Sequence, residues 1–325
     1  MNIILATAGY DKQIKFWDIK TCQCYESKKF GDNAINRLVI SQDRKYLGAC
    51  SNGHVKVYDL RHLDQERTFD GLNGNVIAME FQKQNKWFYA ACEDGTIKIF
   101  DFKGQGGYQR EFDNDGVMIN CAVMHPNEVE IFFGDQNGEI KVWDLQLQKA
   151  RSFYLLDMPS VSITALEIAK DCSKLIMGNS AGFFCFWEGE GAQIIKNNQK
   201  GGPLQINYGT SQDFSPMQDE EAHPDQYIIK CKLSQNKKYL ATCSSDKSCK
   251  IWIYDSEMEE FKHYQTLSGH GGWVWDCEFT DDCVFCLTVS TDMRIRIWRI
   301  DEAKVKKVIN GHTKGITSLA FRDVA

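Results

Sequence analysis

One short pattern recurs seven times along this 325-residue chain. Each copy is an apolar strand, a tight turn that usually contains Asp or Asn, and a second strand that ends in an aromatic residue. The aromatic residues are Trp17, Tyr58, Phe100, Trp143, Trp187, Trp252 and Trp298. The residues six positions before them are Asp11, Asn52, Asp94, Asn137, Ala181, Asp246 and Asp292. A period of roughly 40–45 residues with several short strands per unit is typical of a β-propeller. We therefore predict a single all-β, seven-bladed propeller over residues 1–325.

The unit at residues 74–101 shows how one blade is built. Residues 75–81 alternate between apolar and polar side chains, as in a strand, and 87–92 and 96–100 form two further strands. Asp94 and Gly95 predict a type I′ hairpin turn, in which both central residues adopt positive φ. A lone blade cannot bury both of its faces, so each face is expected to pack on a neighbouring blade.

The two ends of the chain predict how the ring closes. The sequence opens with a second strand, at residues 3–8, and no first strand precedes it. It ends with an unpaired first strand at residues 315–321. We expect these segments to pair in one shared blade, which replaces an exposed sheet edge with backbone hydrogen bonds.

Composition limits the classes of function. A hydrophobic fraction of 43% is ordinary for a globular protein. The chain has no run of 18 apolar residues, so we predict no membrane-spanning helix. The N-terminus does not resemble a signal peptide, and a net charge of −6 disfavours nucleic acid as a partner. The thirteen cysteines are expected to be packed, reduced thiols, because Cys22-x-Cys24 and Cys283-x-x-Cys286 lack a second pair at zinc spacing. These features predict a cytoplasmic protein without a metal or cofactor.

Motifs of common enzyme classes are missing from the sequence. It contains no phosphate-binding G-x-x-x-x-G-K-[ST] loop and no H-E-x-x-H. Gly104-x-Gly106-Gly107 leads into another strand, whereas a dinucleotide-binding loop leads into a helix. A propeller hydrolase with channel carboxylates stays an open alternative, but we expect a protein that is not an enzyme.

The spacing of the aromatic residues is broken once. Trp187 and Trp252 are 65 residues apart, whereas the other intervals are 41 to 46 residues. The extra residues lie at about 189–225, a segment rich in Gly, Asn, Gln, Ser and Asp. We predict a long inter-blade loop there, with an acidic run at residues 219–221. It is either a partner-binding element or a solvated insertion.

Three blades resemble WD repeats in their polar residues. In that family a His, a hydroxyl residue, an Asp and a Trp form a chain of hydrogen bonds across one blade. The matching residues here are His270, Ser290, Asp292 and Trp298; His312, Asp11 and Trp17, with Gly9 at the hydroxyl position; and His223, Ser244, Asp246 and Trp252. A catalytic triad of Ser290, His270 and Asp292 is disfavoured, because the sequence has no G-x-S-x-G elbow.

The starts of the first strands predict a partner-binding rim. Residues at or beside these positions are Tyr10, Asn36, Asn75, Met118, Asn120, Tyr227, Trp273 and Trp275. Trp and Tyr are concentrated at interface hot spots, so exposed tryptophans there indicate a docking surface. The alternative is that Trp273 and Trp275 pack between blades.

Blade-specific strings resemble one particular family. They include ILATAGYD at residues 4–11, INC at 119–121 with HPN at 125–127, LATCS at 240–244 with CKIW at 249–252, and GWVW at 272–275. Together they resemble the G-protein-beta-like WD-repeat subunit of the target-of-rapamycin (TOR) kinase complexes. The resemblance covers nearly the whole chain and fails only in the 189–225 insertion.

The resemblance implies a non-catalytic subunit. Proteins of that family cap the kinase domain of TOR, dock on an insertion in its C-terminal lobe, stabilise the active kinase and also meet other subunits of the complexes. The rim that carries Trp273 and Trp275 would then face the kinase. The alternative is a general WD-repeat scaffold, such as a substrate adaptor of a ubiquitin ligase.

Overall fold

The computed structural model describes residues 4–104, 107–158, 160–195 and 205–323. In chain order the strands are β1 (Ile4–Gly9), β2 (Gln13–Asp18), β3 (Gln23–Lys29), β4 (Ile35–Ile40), β5 (Tyr46–Ser51), β6 (Val55–Asp59), β7 (His62–Phe69), β8 (Val76–Phe81), β9 (Trp87–Cys92), β10 (Thr96–Asp101), β11 (Tyr108–Asp113), β12 (Ile119–Met124), β13 (Glu130–Asp135), β14 (Glu139–Asp144), β15 (Lys149–Leu155), β16 (Ile163–Ile168), β17 (Lys174–Asn179), β18 (Phe183–Glu188), β19 (Gln193–Ile195), β20 (Gln205–Asn207), β21 (Ser215–Glu221), β22 (Ile228–Leu233), β23 (Tyr239–Ser244), β24 (Ser248–Asp255), β25 (Glu260–Ser268), β26 (Val274–Phe279), β27 (Phe285–Ser290), β28 (Arg294–Arg299), β29 (Lys304–Asn310) and β30 (Ile316–Arg322). A single 3₁₀ turn, Ser211–Asp213, is the one helical element of the described residues.

These strands form seven four-stranded antiparallel sheets, and β19 and β20 form a separate small hairpin. Blade 1 contains β30 and β1–β3, blade 2 contains β4–β7, blade 3 contains β8–β11, blade 4 contains β12–β15, blade 5 contains β16–β18 and β21, blade 6 contains β22–β25, and blade 7 contains β26–β29. The first strand of each blade contacts the first strands of both neighbours, so these strands encircle a central channel. The predicted seven-bladed, all-β propeller is confirmed. No helix of the described segments is long and apolar enough to cross a membrane.

The closure by both chain ends is also confirmed. β30 pairs antiparallel with β1, and Ala6 lies opposite Ala320. β30 also contacts β4 of blade 2 and β26 of blade 7, which completes the ring. Residues of both ends therefore share one blade, and the pairing leaves no open edge on β1.

The seven aromatic anchor residues lie between blades. Each is at most 3% exposed, and each packs against the preceding blade. Trp17 of blade 1, for example, packs with Leu287 and Val289 of blade 7, and Phe100 of blade 3 packs with Val57 of blade 2. The recurring aromatic residue thus forms the core of each inter-blade interface. Tyr58 and Phe100 fill this position as the tryptophans do.

The tight turns differ from the sequence prediction. At the Asp94–Gly95 turn only Gly95 has positive φ, +95°, so the predicted type I′ geometry is wrong. The loop has three residues, and the side chain of Asp94 accepts a hydrogen bond of 2.9 Å from the amide of Thr96. That bond closes the turn through the side chain and removes the need for positive φ at Asp94. The residues with positive φ at the seven equivalent positions are Lys12, Gly53, Gly95, Gly138, Gly182, Lys247 and Met293.

The predicted 189–225 loop is only partly a loop. Its residues 215–221, with the acidic run, form β21 and pair with β18 as the outer strand of blade 5. The loop prediction is therefore wrong for that segment. Residues 196–204 lie outside the described residues.

The segment before β21 lies against neighbouring blades. Ser211 binds Glu130 of blade 4 through its amide and its hydroxyl, and Phe214 packs on Phe132 and Phe153. The ammonium group of Lys83 in blade 3 lies 3.8 Å from the ring centre of Tyr208. This part of the insertion is therefore held against blades 3 and 4.

Candidate partner-binding face

The rim is built from backbone hydrogen bonds that repeat around the ring. In six blades a backbone hydrogen bond of 2.9–3.1 Å links the ends of the first two strands. Its donor is the amide of the residue just after the second strand, and its acceptor is the carbonyl of the residue just before the first strand. The donor and acceptor pairs are Tyr10 and Gly315, Glu93 and Asn75, Gln136 and Met118, Ser180 and Ser162, Ser245 and Tyr227, and Thr291 and Trp273. We call these bonds the rim bonds. They fix the backbone of each rim residue and leave its side chain free.

Three large aromatic side chains project from consecutive blades of this rim. Tyr227 on blade 6 is 51% exposed, Trp273 on blade 7 is 45% exposed, and Tyr10 on blade 1 is 42% exposed. We call these three residues the aromatic arc. A side chain at Gly315 would come within 3.3 Å of the Tyr10 ring and 3.0 Å of Thr291. The glycine therefore lets Tyr10 lie close to blade 7.

Trp275 lies directly behind the aromatic arc. Its ring centre is 5.9 Å from that of Trp273, and it occupies a bulge at the start of β26. Its indole nitrogen is buried and has no hydrogen-bond acceptor among the described residues. Most buried polar atoms have a partner, so this donor at the base of the arc is unusual.

The other predicted rim residues are placed differently. Met118 is 41% exposed, but it lies on blade 4, away from the aromatic arc. Asn36 and Asn120 donate to Val76 and Ile163, the first-strand residues of the next blade. Asn75 donates to both carboxylate oxygens of Glu93 at 3.0 Å. These three amides therefore hold the propeller together, whereas Tyr10, Tyr227, Trp273 and Trp275 lie on the three consecutive blades 6, 7 and 1.

Sequence reasoning missed this inter-blade role of the bulge position. Thr164 and Thr317 occupy the same place as Asn36 and Asn120, and their hydroxyls donate to Ile228 and Ile35 of the next blade. The signal was available, because the second residue of the first strand is Asn or Thr in four of the seven blades. A short polar side chain recurring beside apolar strand residues indicates a repeated internal bond.

The polar network of blade 7 uses a different hydroxyl from the one predicted. The indole N–H of Trp298 donates to Thr288 Oγ1 at 2.7 Å, and that hydroxyl lies 2.7 Å from His270 Nε2. His270 Nδ1 lies 3.1 Å from Asp292. Ser290 is not part of this chain, because its hydroxyl donates to Gly272.

The same correction applies to the other two networks. In blade 1 the hydroxyl belongs to Thr7, which binds Trp17 and His312 at 2.7 Å each. In blade 6 it belongs to Thr242, not Ser244, and it lies 2.9 Å from His223 Nε2 and accepts from Trp252. The hydroxyl residue stands ten positions before the aromatic anchor in all three blades. The predicted positions, Gly9, Ser244 and Ser290, stand eight positions before the anchor and are wrong.

The acid of each network is held ionised. Burial alone would raise the pKa of Asp246, but hydrogen bonds from His223 and Ser248 lower it to about 2. Burial also opposes ionisation of Asp11, yet the bonds from His312, Thr313 and Gln13 lower its pKa. The pKa of His270 is lowered, chiefly by burial. In blade 7 the Arg296 guanidinium donates to Asp292 at 2.6 Å and lies against His270 Nδ1, and with the bonds from His270 and Gly271 it lowers the pKa of Asp292.

The network is unsuited to catalysis. Thr288, His270 and Asp292 are bonded in the order of a catalytic triad. The Thr288 side chain is fully buried, and the Trp298 indole already donates to its hydroxyl. A substrate carbonyl has no access to that oxygen, so the network is a structural one.

The central channel carries charged side chains from several first strands. Lys232 lies 3.2 Å from Glu167 and 3.1 Å from Glu278. Glu80 instead accepts hydrogen bonds from the Tyr89 hydroxyl and the Met124 amide. Burial and the nearby charge of Glu167 raise the pKa of Glu80 to about 7.

Comparison with known proteins identifies relatives along nearly the whole chain. A sequence profile described as WD domain, G-beta repeat, matches residues 23–59, 63–101, 214–252 and 261–299. The target of rapamycin complex subunit LST8 of Bos taurus is 33% identical over 99% of this chain and 95% of the relative.

Relatives from plants and fungi show the same similarity. The subunit LST8-1 of Arabidopsis thaliana is 37% identical over 84% of this chain and 82% of its own length. The subunit wat1 of Schizosaccharomyces pombe is 33% identical over 77% of this chain and 74% of its own length. This chain therefore belongs to the LST8 family of WD-repeat proteins, whose named members include target of rapamycin complex subunits.

Proposed function

We propose that this protein is a non-catalytic subunit of TOR complexes that binds the TOR kinase domain and stabilises it. The observation that carries the proposal is the similarity, over 99% of the chain, to a protein named as a TOR complex subunit. The buried, structural character of the His–Thr–Asp networks supports a protein without a reaction centre. All thirteen cysteines are free thiols, which fits the reducing conditions of the cytoplasm.

The aromatic arc is the surface that we assign to the kinase. Trp and Tyr contribute large contact areas and dominate interface hot spots. The rim bonds hold the backbone of Tyr227, Trp273 and Tyr10 before any partner arrives, so less conformational entropy is lost on binding. The ring of Trp275, centred 5.9 Å from that of Trp273, packs beside the arc and supports it. We propose that an insertion in the C-terminal lobe of the kinase covers this arc, and that other faces meet further subunits.

Purification of the protein from its own cells tests the partner. We expect the TOR kinase to be the dominant protein recovered, as measured by quantitative mass spectrometry against an untagged control. Recovery of ubiquitin-ligase subunits in its place would overturn the proposal and favour a substrate adaptor.

Substitution of Trp273 tests the surface. Trp273→Ala should weaken kinase binding by about 2 kcal/mol or more, which is roughly a 30-fold increase in Kd. The melting temperature should change little, because the side chain is 45% exposed. Kd is measured by titrating purified kinase against the immobilised protein.

Tyr25 provides a matched control. It is 59% exposed, but it lies on β3, the outer strand of blade 1. Tyr25→Ala should leave Kd unchanged, whereas Tyr227→Ala should weaken binding. Equal effects of these two variants would contradict the assignment of the arc, and unfolding by Trp273→Ala would show that this residue belongs to the core.

The stabilising role needs its own measurement. Purified kinase domain should melt at a higher temperature with saturating wild-type protein than alone, because a ligand that binds only the folded state stabilises it. The Trp273→Ala variant at the same concentration should give a smaller shift. Tight binding without any shift would contradict stabilisation while leaving the interaction intact.

A further inference from the structure

Four buried cysteines meet at the interface between blades 6 and 7. Cys243 on β23 lies opposite Cys249 on β24 in blade 6. Cys277 on β26 and Cys286 on β27 face them from blade 7. All four side chains are fully buried within one hydrophobic cluster. We call these four residues the cysteine cluster.

Three of the sulfur atoms are close enough to share one ligand. The Sγ atoms of Cys243, Cys249 and Cys277 all lie within 4.8 Å of one another. Cys286 is a neighbour of Cys249 and Cys277, but its Sγ lies more than 4.8 Å from at least one of the three. Four thiolates around one Zn²⁺ at about 2.3 Å each would place neighbouring sulfurs about 3.8 Å apart. Zinc binding would therefore draw the Cys286 side chain toward the other three thiols by rotation.

The sequence gives no hint of this arrangement. The four residues come from four strands, and no two of them show the C-x-x-C spacing of zinc motifs. The close pair Cys283-x-x-Cys286 is split by the structure, since Cys283 is absent from the core cluster that contains Cys286. Only the packing of two adjacent blades assembles the four thiols.

We propose that Cys243, Cys249, Cys277 and Cys286 form a structural zinc site that links blades 6 and 7. Soft thiolates prefer Zn²⁺ and Cu⁺ among the common metal ions, and four ligands match the closed tetrahedral sites of structural zinc. Binding replaces the thiol protons: Zn²⁺ forms four Zn–S bonds and up to four protons leave for solvent. The site has no exposed ligand, so the metal enters while the blades assemble.

Zinc here would strengthen the interface between two blades. Blades 6 and 7 are joined by side-chain packing, not by a continuous sheet. A metal ion bound to two strands of each blade would therefore resist their separation. Because the ligands bind the metal as thiolates, protons compete with zinc and occupancy should fall in acid.

Metal content of the intact protein tests the proposal. The full chain is produced in cells in medium with added zinc, purified without chelators under reducing conditions, and analysed for zinc and copper by mass spectrometry. We expect about one zinc per chain, as for a closed four-cysteine site, and retention during dialysis against EDTA. Refolding with Co²⁺ should give the absorption of a tetrahedral cobalt–thiolate centre.

Variants distinguish the cluster from other thiols. Cys277→Ser and Cys249→Ser should each lose the zinc, whereas Cys50→Ser, which alters a fully buried thiol in another core cluster, should retain it. If a cluster variant fails to fold, the metal content and the cobalt spectrum of the wild-type protein still show whether the zinc site exists.

Three results would overturn the proposal. The first is wild-type protein with far less than one zinc per chain, both from cells and after refolding with ZnCl₂. The second is one equivalent of copper in place of zinc. The third is a disulfide between any two of the four cysteines in freshly isolated protein.

Discussion

The hydroxyl of Thr288 should contribute more to stability than any other single oxygen in its network. It accepts from the Trp298 indole and is hydrogen-bonded to His270 Nε2, both at 2.7 Å. Thr288→Val keeps the shape of the side chain and removes only this hydroxyl. The substitution therefore creates no cavity and isolates the hydrogen bonds.

The expected cost follows from the two groups that lose their partner. An unsatisfied buried donor or acceptor costs about 1–3 kcal/mol, and both the indole N–H and Nε2 lie where water has no access. We therefore expect Thr288→Val to lower the free energy of unfolding by about 2–6 kcal/mol. Ser290→Ala serves as the control. Ser290 is itself buried, but the Gly272 carbonyl and Asp292 amide that it bonds belong to half-buried residues, so water can replace the lost hydroxyl and the cost should be only about 0.5–1.5 kcal/mol.

Urea denaturation of the two variants provides the measurement. Unfolding is followed by tryptophan fluorescence and far-UV circular dichroism, and the midpoints are compared at a common slope. Thr7→Val and Thr242→Val should shift the midpoint as Thr288→Val does, since they occupy the same position in blades 1 and 6. The reasoning is refuted if Ser290→Ala destabilises the protein as much as Thr288→Val.

Two further predictions concern the channel and the ring closure. The pKa of Glu80 is raised from 4.5 to about 7 in the folded state, so folding favours the protonated carboxyl. The protonated carboxyl therefore contributes fully to the free energy of unfolding below pH 4.5, and this contribution is lost as the pH rises through 7. Glu80→Gln should therefore stabilise the protein at pH 8.5 by about 1–3 kcal/mol and give no gain at pH 4, and thermal melts at both pH values check the sign; a gain at pH 4 as large as that at pH 8.5 would contradict it. Deletion of residues 312–325 removes β30 and exposes the edge of β1, so size-exclusion chromatography should show aggregated protein. A monomeric truncation that melts cooperatively would refute the role of β30 in closure.

The ring could be predicted from the sequence because every blade repeats the same information. The aromatic anchors stand 41 to 46 residues apart in all intervals but one, and each follows the tight turn at the same distance. Both regularities can be read from the sequence without any long-range contact. Closure followed from the missing first strand at one end and the unpaired first strand at the other. The turns were harder, because the bond from Asp94 to the amide of Thr96 replaces the positive φ that the residue pair suggested.

The networks show where strand patterns are insufficient. Thr288 and Ser290 lie two residues apart on β27, so both side chains point to the same face of the sheet. The sequence offers two hydroxyls on one face and does not show which of them the indole reaches. Only the path of the next strand, with Trp298 opposite Cys286, brings the indole to Thr288.

The rim positions could be identified from the sequence, but the exposure of their side chains could not. All eight predicted residues lie at or beside the rim, yet the structure gives Asn36, Asn75 and Asn120 internal bonds. Exposure of a rim side chain depends on how the neighbouring blade is placed. A sequence reveals the order of the blades around the ring, but it does not reveal how closely each blade covers the rim side chains of its neighbour.

The rim bonds explain why an aromatic arc is compatible with a rigid fold. Both atoms of each rim bond belong to the backbone, so the bond forms with Gly315, Met118 or Trp273 at the acceptor position alike. At Met118, Tyr227 and Trp273 the rim bond therefore makes no use of the side chain, in contrast to the bulge position, where Asn or Thr bonds the next blade. A tryptophan 45% exposed at a position where glycine also fits is not required by packing. Its large apolar surface gains stabilisation only when a partner covers it, which is the physical basis for assigning the arc to binding.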